Sequence, residues 1–304
     1  PPAFQAEDGI RDVLLSLVGS EMCIRDRSDA FLEDVAMTVH AVLENMDFSQ
    51  PDRRFSLTYK VLSAYVTDMS TFNHLLPPDS PLQFSGGAAT LAAHIVLQHD
   101  DADGWLRLQS SGVQAQADRQ SVTGDLAVEL RLVDGIPPKR FFDITGSVVD
   151  LTRVKVAGES GQFDEEDWSA RLVLTRGETF LTDPPRMNLE AQLRMSDSRP
   201  FVAMFRNEDG WRPDFLSGMM TIEDIDGTTQ MAIADERIVI PFFHAISDNI
   251  EVNAKGVIAE ETRDGVIHFR YKNAEALLKI RGGKKSLDIF RVREKFDDYP
   301  IPQS

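Results

Sequence analysis

Residues able to do chemistry are few and scattered along this chain. It has six histidines, His40, His74, His94, His99, His244 and His268. None forms the H-x-x-x-H or H-E-x-x-H spacing that would set two imidazoles on one helical face as metal ligands. His94 and His268 fall in strand-like alternation and are expected in solvent or at a polar edge. Cys23 is the one cysteine, so neither an internal disulfide nor a cysteine-built zinc site can form. Asp100, Asp101 and Asp103, followed by Gly104, are a fragment of a calcium loop. A full loop needs further acids and a bidentate Glu, and Gln109, Ser110 and Ser111 stand there instead. A solvated hairpin turn accounts for these acids, and an exposed loop accounts for the acidic run at 164–167. Gly158-Glu159-Ser160-Gly161 misses the nucleophile-elbow spacing by one residue. Gly282-Gly283-Lys284-Lys285 lacks the spacing of a phosphate-binding loop and reads as a hairpin turn. Paired carboxylates are abundant in so acidic a chain and carry no specific message. The residue types therefore point away from catalysis, from a bound metal and from a cofactor.

What would have to position any site is a chain of 304 residues, of which 42% are apolar and 27% charged. That is enough for one large core or two modest ones. The formal net charge is −17. Such acidity argues against a nucleic-acid partner, which needs a basic stripe, and against electrostatic docking on an anionic membrane. Lipid tails are neutral and stay open as partners. No run of 18 apolar residues offers a transmembrane helix.

The first 27 residues stand apart. Val13 to Val18 is an apolar run of signal-peptide size, but Glu7, Asp8 and Asp12 precede it where a basic region is required. Residues 5–27 resemble the translated read-through of a sequencing-library adapter, so 1–27 is expected not to belong to the protein and the native chain to extend upstream. Without Arg11, Arg25, Arg27 and the five acids Glu7, Asp8, Asp12, Glu21 and Asp26, 29 basic and 44 acidic residues remain, a net charge of −15.

Beyond that segment the dominant signal is period-two alternation. Ala89, Leu91, Ala93, Ile95 and Leu97 are apolar at every second position. So are Val113, Ala115 and Ala117. Val122, Leu126, Val128, Leu130 and Leu132 share one face, as do Met187, Leu189, Ala191, Leu193 and Met195, and Ile250, Val252, Ala254 and Ile258. Each run turns one face to an apolar interior and the other to water. Asp103-Gly104, Asp134-Gly135 and Asp264-Gly265 read as hairpin turns. Residues 141–157 could form one strand with a bulge near Asp150. Short connections imply an antiparallel meander whose long, one-sided strands twist and curl. Two helices are expected. One runs over 199–207, with Pro200 in its first turn. The other, over 287–298, would be capped by Ser286 and ended by Pro300. The fold class is thus mainly β: a long twisted antiparallel sheet curled into a groove, with a short inserted helix and a C-terminal helix. Residues 28–299 form one elongated unit and 300–304 a tail.

Four segments carry a family resemblance: LLPPDSPLQFSGGAATLAAHIVLQ (75–98), FDITGSVVDLTRVKVAG (142–158), MSDSRPFVAMF (195–205) and the stretch from NAKGVIAEETRDG to FRVREKFDDY (253–299). They resemble the closing region of AsmA-like proteins, the bridge-type lipid-transfer family that includes the TamB and YhdP relatives. The resemblance implies a twisted sheet whose concave apolar face holds phospholipid acyl chains. It implies an inner-membrane anchor through an N-terminal helix absent here, a location in the Gram-negative periplasm, and partners among inner- and outer-membrane envelope proteins.

A one-sided apolar sheet must cover that face, and two short helices are too few to cover every strand. At about 25 cal/mol per Å2 a wet apolar face is costly, and lipid tails would cover it. The leading expectation is a non-catalytic lipid-binding or lipid-transfer groove lined by Leu91, Ile95, Leu97, Leu126, Val128, Leu130, Leu189 and Leu193. The alternative is a β-rich envelope scaffold in which the same residues form a closed core. A third is an extracytoplasmic hydrolase, which would need distant Asp, Glu or His side chains gathered in one pocket.

Overall fold

The computed structural model of the protein describes residues 32–44, 54–76, 80, 82–117, 120–158, 161–182, 184–200, 222–235, 237–248, 250–259, 262–282 and 284–300. The segment 1–27, and the expected helix over 199–207 beyond Pro200, lie outside the described residues.

Seventeen strands join in one sheet. They are β1 (Leu32–Glu44), β2 (Arg54–Val66), β3 (Leu82–Gly86), β4 (Ala89–Gln98), β5 (Asp101–Ala117), β6 (Gln120–Ile136), β7 (Phe141–Asp143), β8 (Val148–Gly158) and β9 (Gly161–Asp164). They continue with β10 (Ser169–Phe180), β11 (Arg186–Asp197), β12 (Glu223–Ala234), β13 (Arg237–Ile246), β14 (Ile250–Ala259), β15 (Thr262–Tyr271), β16 (Ala274–Arg281) and β17 (Lys284–Asp288). Every pairing is antiparallel, and β2 pairs β4, which pairs β5. β3 continues the lane of β4 along β5, β7 the lane of β8 along β6, and β9 the lane of β10 along β8. The seventeen strands therefore fill fourteen lanes in chain order. At roughly 4.8 Å per lane the sheet extends about 60 Å across its strands.

Bulges interrupt the long strands. The register shifts at Leu62–Ser63 in β2, at Ser111–Gly112 in β5, opposite Gly124 in β8 and around Pro241 in β13. A bulge adds one residue, which bends the strand and restores the alternation beyond it to the same face. The strand expected over 141–157 is broken by a turn at 144–147, and its bulge sits at Arg153 (φ 54°) rather than near Asp150. Val61, Ala93 and Leu108 lie on one face and are buried without a second sheet above them. The sheet is curled about that face.

Three expected turns lie inside strands. Asp103-Gly104 is in β5, Asp134-Gly135 in β6 and Asp264-Gly265 in β15. Gly104 is required by close approach instead: a Cβ there would stand 2.1 Å from the His94 carbonyl oxygen. The β4–β5 turn falls at His99–Asp100, and His99 takes the left-handed conformation (φ 58°).

The C-terminal helix is shorter than the sequence suggests. It is α1 (Val292–Asp297), and Ser286 and Leu287, expected to cap and begin it, belong to β17 instead. β17 completes the ladder with β16, and the backbone hydrogen bonds of that ladder outweigh the first turn of the expected helix. α1 packs Val292 against Val266, Leu277 and Tyr299. A 3-10 helix, Met69–Leu75, joins β2 to β3, with Asp68 accepting from the Ser70 N–H at 2.8 Å. Asn73 donates to the Phe84 carbonyl and accepts from the Phe84 N–H, both at 2.8 Å, which ties the helix to the sheet border.

Candidate functional site

Residues directly opposite each other on neighbouring strands point to the same side, so the pairing register sorts side chains by face. From Leu91 the ladder runs to Leu108, Val128, Val149, Leu172 and Leu193. It continues through Gly227, Ala245, Val252, Phe269 and Ala276. A second row joins Leu174, Ala191, Thr229, Phe243, Ala254, Ile267, Leu278 and Leu287. A third joins Met37, Val61, Ala93, Leu106 and Leu130. One apolar face thus crosses every lane of the sheet. Among the described paired residues, the register brings a charged position onto it only at the strand ends, at Asp197 and its partner Glu223, at Arg263 and at Lys285.

All eight lining candidates fall on this face. Leu91 lies opposite Ala64 and Leu108, Ile95 opposite Tyr59 and Gly104, and Leu97 opposite Leu57 and Ala102. Leu126 lies opposite Ser110 and Leu151, Val128 opposite Leu108 and Val149, and Leu130 opposite Leu106. Leu189 meets Gly177 and Met231, and Leu193 meets Leu172 and Gly227. Leu126 is buried and Leu130 is 38% exposed, while the other six are half-buried.

The two borders of the face differ. One carries the 3-10 helix, whose Met69 and Phe72 pack over Val66, Ala89, Leu108, Val113 and Leu126. On the same border Phe163 and Trp168 pack with Val154, Val156 and Ala170. Trp168 Nε1–H donates to the Asp197 carbonyl at 3.0 Å. Towards the other border Ile95, Leu97, Leu132, Ile238 and Ile258 remain half-buried. The apolar face is padded along one edge, and along the other these half-buried side chains stand among the buried Ala102 and Thr179.

The opposite face carries the charge. Glu129 accepts from Arg107 (3.1 Å) and Arg131 (3.0 Å), Arg194 pairs with Asp226 (3.0 Å), and Arg176 with Glu178 (2.7 Å). Hydrogen bonds from Arg131, then Arg107, hold the Glu129 carboxyl below its usual range. Two of these pairs cross strands and two run along one strand, and at such exposed sites each is worth less than about 1 kcal/mol. This face meets water except where α1 covers Val266, Leu277 and His268, and the other carries charge only at its strand ends.

The candidate catalytic groups do not converge. Among the described residues no three His, Cys, Asp or Glu side chains gather as a metal site. Asp100, Asp101 and Asp103 are exposed. Gly158 pairs with Gly161, and Arg281 with Lys284, in hairpin registers. The acidic run 164–167 is an exposed turn with structural duties. Asp164 pairs with Lys155 at 2.8 Å, and Glu165 with Asp197 grips Arg199 at the root of the segment 201–221. Both carboxylates push the Arg199 guanidinium above its usual range, Asp197 most strongly. His268, expected in solvent or at a polar edge, is 6% exposed, because α1 lays Phe296 near its ring (5.8 Å). It belongs to a polar chain on the charged face. His244 Nδ1 lies 2.9 Å from Asn253 Oδ1, and Asn253 donates to Glu251 at 3.0 Å.

The chain matches no protein-family model, no curated protein and no solved structure. No helix among the described residues is long and apolar enough to cross a membrane.

Sequence reasoning missed the apolar-face residues of β10, β13 and β15 to β17. Leu172 and Leu174 precede a bulge in β10, and Phe243 follows the one at Pro241. In both strands period-two counting fails across the extra residue. The usable signal was there in shorter form, as alternating triplets on either side of each break.

Proposed function

We propose that the apolar face is a lipid-binding trough that holds phospholipid acyl chains and passes them along the sheet without catalysis, as in the periplasmic AsmA-like proteins that the sequence resembles. The observation that carries the reading is the apolar ladder from Leu91 to Ala276, uninterrupted by charge across the sheet and half-buried along one border. A chain of methylenes gains about 0.8 kcal/mol for each CH2 it buries there, and a uniform apolar floor offers no point at which an acyl chain must stop. Headgroups would remain at that border, in water.

The test is mass spectrometry of lipid co-purifying with the chain expressed in a Gram-negative periplasm, beside an Ile95→Asp/Val128→Asp variant whose fold is checked by circular dichroism. Phospholipid on the parent and none on the folded variant is the expected result. A folded parent that carries no lipid overturns the reading. The padded border, where the 3-10 helix buries Met69 over Val66 and Leu126, favours the scaffold as second reading, in which this face is a core in its own right.

A further inference from the structure

The two ends of the sheet differ in charge. β1 carries Glu33, Asp34 and Glu44 and neither Lys nor Arg. Residues 279–295, which span β17 and reach into α1, carry seven basic residues against Asp288 and Glu294, a local charge of +5 in a chain of −17. Asp288 is already shared by Lys279 and Lys295, each at 2.9 Å. Lys284, Lys285 and Arg293 are exposed and have no acidic partner among the described residues.

At the far end of β17 from Lys284 and Lys285, and just before Arg293, stand the two most exposed large apolar side chains described, Ile289 (59%) and Phe290 (74%). They are not on a loose end. The turn that bears them is pinned on one side by Asp288 with its two lysines, and on the other by Val292, 4% exposed against Val266 and Leu277. α1 has its apolar face committed to the sheet, so it acts as a buttress that presents Phe290 outward. Two apolar side chains are far less than the roughly 800 Å2 that each partner gives to a stable protein interface. An aromatic and an aliphatic wedge at one end of an edge strand, with unpaired lysines at its other end and Arg293 after the turn, suits the surface of a bilayer instead, where rings sit at headgroup level and cations meet anionic phosphate.

We infer that the 289–290 turn, with Lys284, Lys285 and Arg293, is a docking surface for a bilayer containing anionic phospholipid. The overall acidity of the chain opposes such docking elsewhere and so orients the molecule with its β17 end to the membrane. Leu278 and Leu287 lie on the apolar face in the last two lanes, next to the turn. The part this surface plays in loading or unloading the trough rests on the function proposed above, whereas the docking itself does not.

The experiment is flotation of the full chain with vesicles rich in phosphatidylglycerol and, separately, with vesicles of phosphatidylcholine alone. Co-purified lipid is measured in each sample. The parent is expected to float with the anionic vesicles and to be released by salt. Ile289→Ser/Phe290→Ser is expected to bind about tenfold more weakly. Lys284→Gln/Lys285→Gln/Arg293→Gln is expected to lose about fivefold for each cation removed. Both variants keep the parent's co-purified lipid if the trough is intact, so loss of flotation alone is a docking effect. A parent that floats with neither vesicle, or equally with both, or variants that float as well as the parent, overturn the inference. Binding to neither vesicle would leave the patch to a protein partner.

Discussion

Leu193 and Gln192 are neighbours on β11 that point to opposite faces. Leu193 is half-buried opposite Leu172 and Gly227, and Gln192 is exposed opposite Val173 and Thr228. Replacing each by Asp compares the two faces with one chemistry. Full burial of a Leu is worth about 1.5–3 kcal/mol, so a half-buried one gives up about 1. A carboxylate among Leu172, Ala191 and Met195 finds no donor and costs about 1–3 kcal/mol more. Leu193→Asp should therefore destabilise by about 2–4 kcal/mol, which for a chain of this size lowers Tm by roughly 3–6 °C. Gln192→Asp places a carboxylate in water beside Arg194 and should stay within about 0.5 kcal/mol. Thermal melts followed by circular dichroism read both. Added phospholipid should raise the Tm of the parent and of Gln192→Asp but not that of Leu193→Asp, because lipid stabilises only the state it binds. Equal shifts for the two variants would refute the assignment of faces, and with it the trough.

Gly104→Val should cost about 3 kcal/mol or more, because the β4 backbone cannot withdraw from a Cβ without breaking its ladder; a urea midpoint within error of the parent's would refute the close approach. Arg199→Ala leaves the Asp197 carboxylate, whose side chain is nearly buried, without its main partner, and should lower stability by about 1–3 kcal/mol. Limited proteolysis should then cut faster near 198–200. Val292→Asp should release α1, exposing His268 and raising amide exchange in β15 and β16, with little effect on β4 to β6. Asp288, held low by hydrogen bonds from Lys295 and Lys279, and Glu251, held low chiefly by Asn253, have folded values below their usual 3.8 and 4.5. Such groups stabilise the fold above those values, and the contribution is lost as pH falls through the depressed ones. Urea midpoints should be flat with respect to these groups above about pH 5 and fall below it, and Asp288→Asn should flatten part of that fall.

That each of the eight candidates shares a face with the apolar residues of its own strand was legible in the sequence, because strand side chains alternate with period two. A run such as Met187–Met195 declares its own face wherever the strand is unbroken. The net acidity followed from residue types, and the mainly β class from their alternation. Only the tertiary structure decided that the separate runs join on one face. Alternation says that Leu91 and Leu193 each face something apolar, whereas pairing register, set across bulges at Gly112, Arg153 and Pro241, puts them on the same floor. The glycines show the same division. Asp103-Gly104 has the composition of a turn, and what fixes it inside β5 is the His94 carbonyl of the neighbouring strand, a contact that local sequence does not encode. The C-terminal helix was overdrawn for a related reason. Leu287, Phe290 and Glu294 stand at helical spacing, but the open edge of β16 offered residues 284–288 hydrogen bonds that an isolated helix does not supply. Local pattern determined what each segment could become, and non-local hydrogen bonding chose among the possibilities, because the free energy of a strand resides in its neighbours.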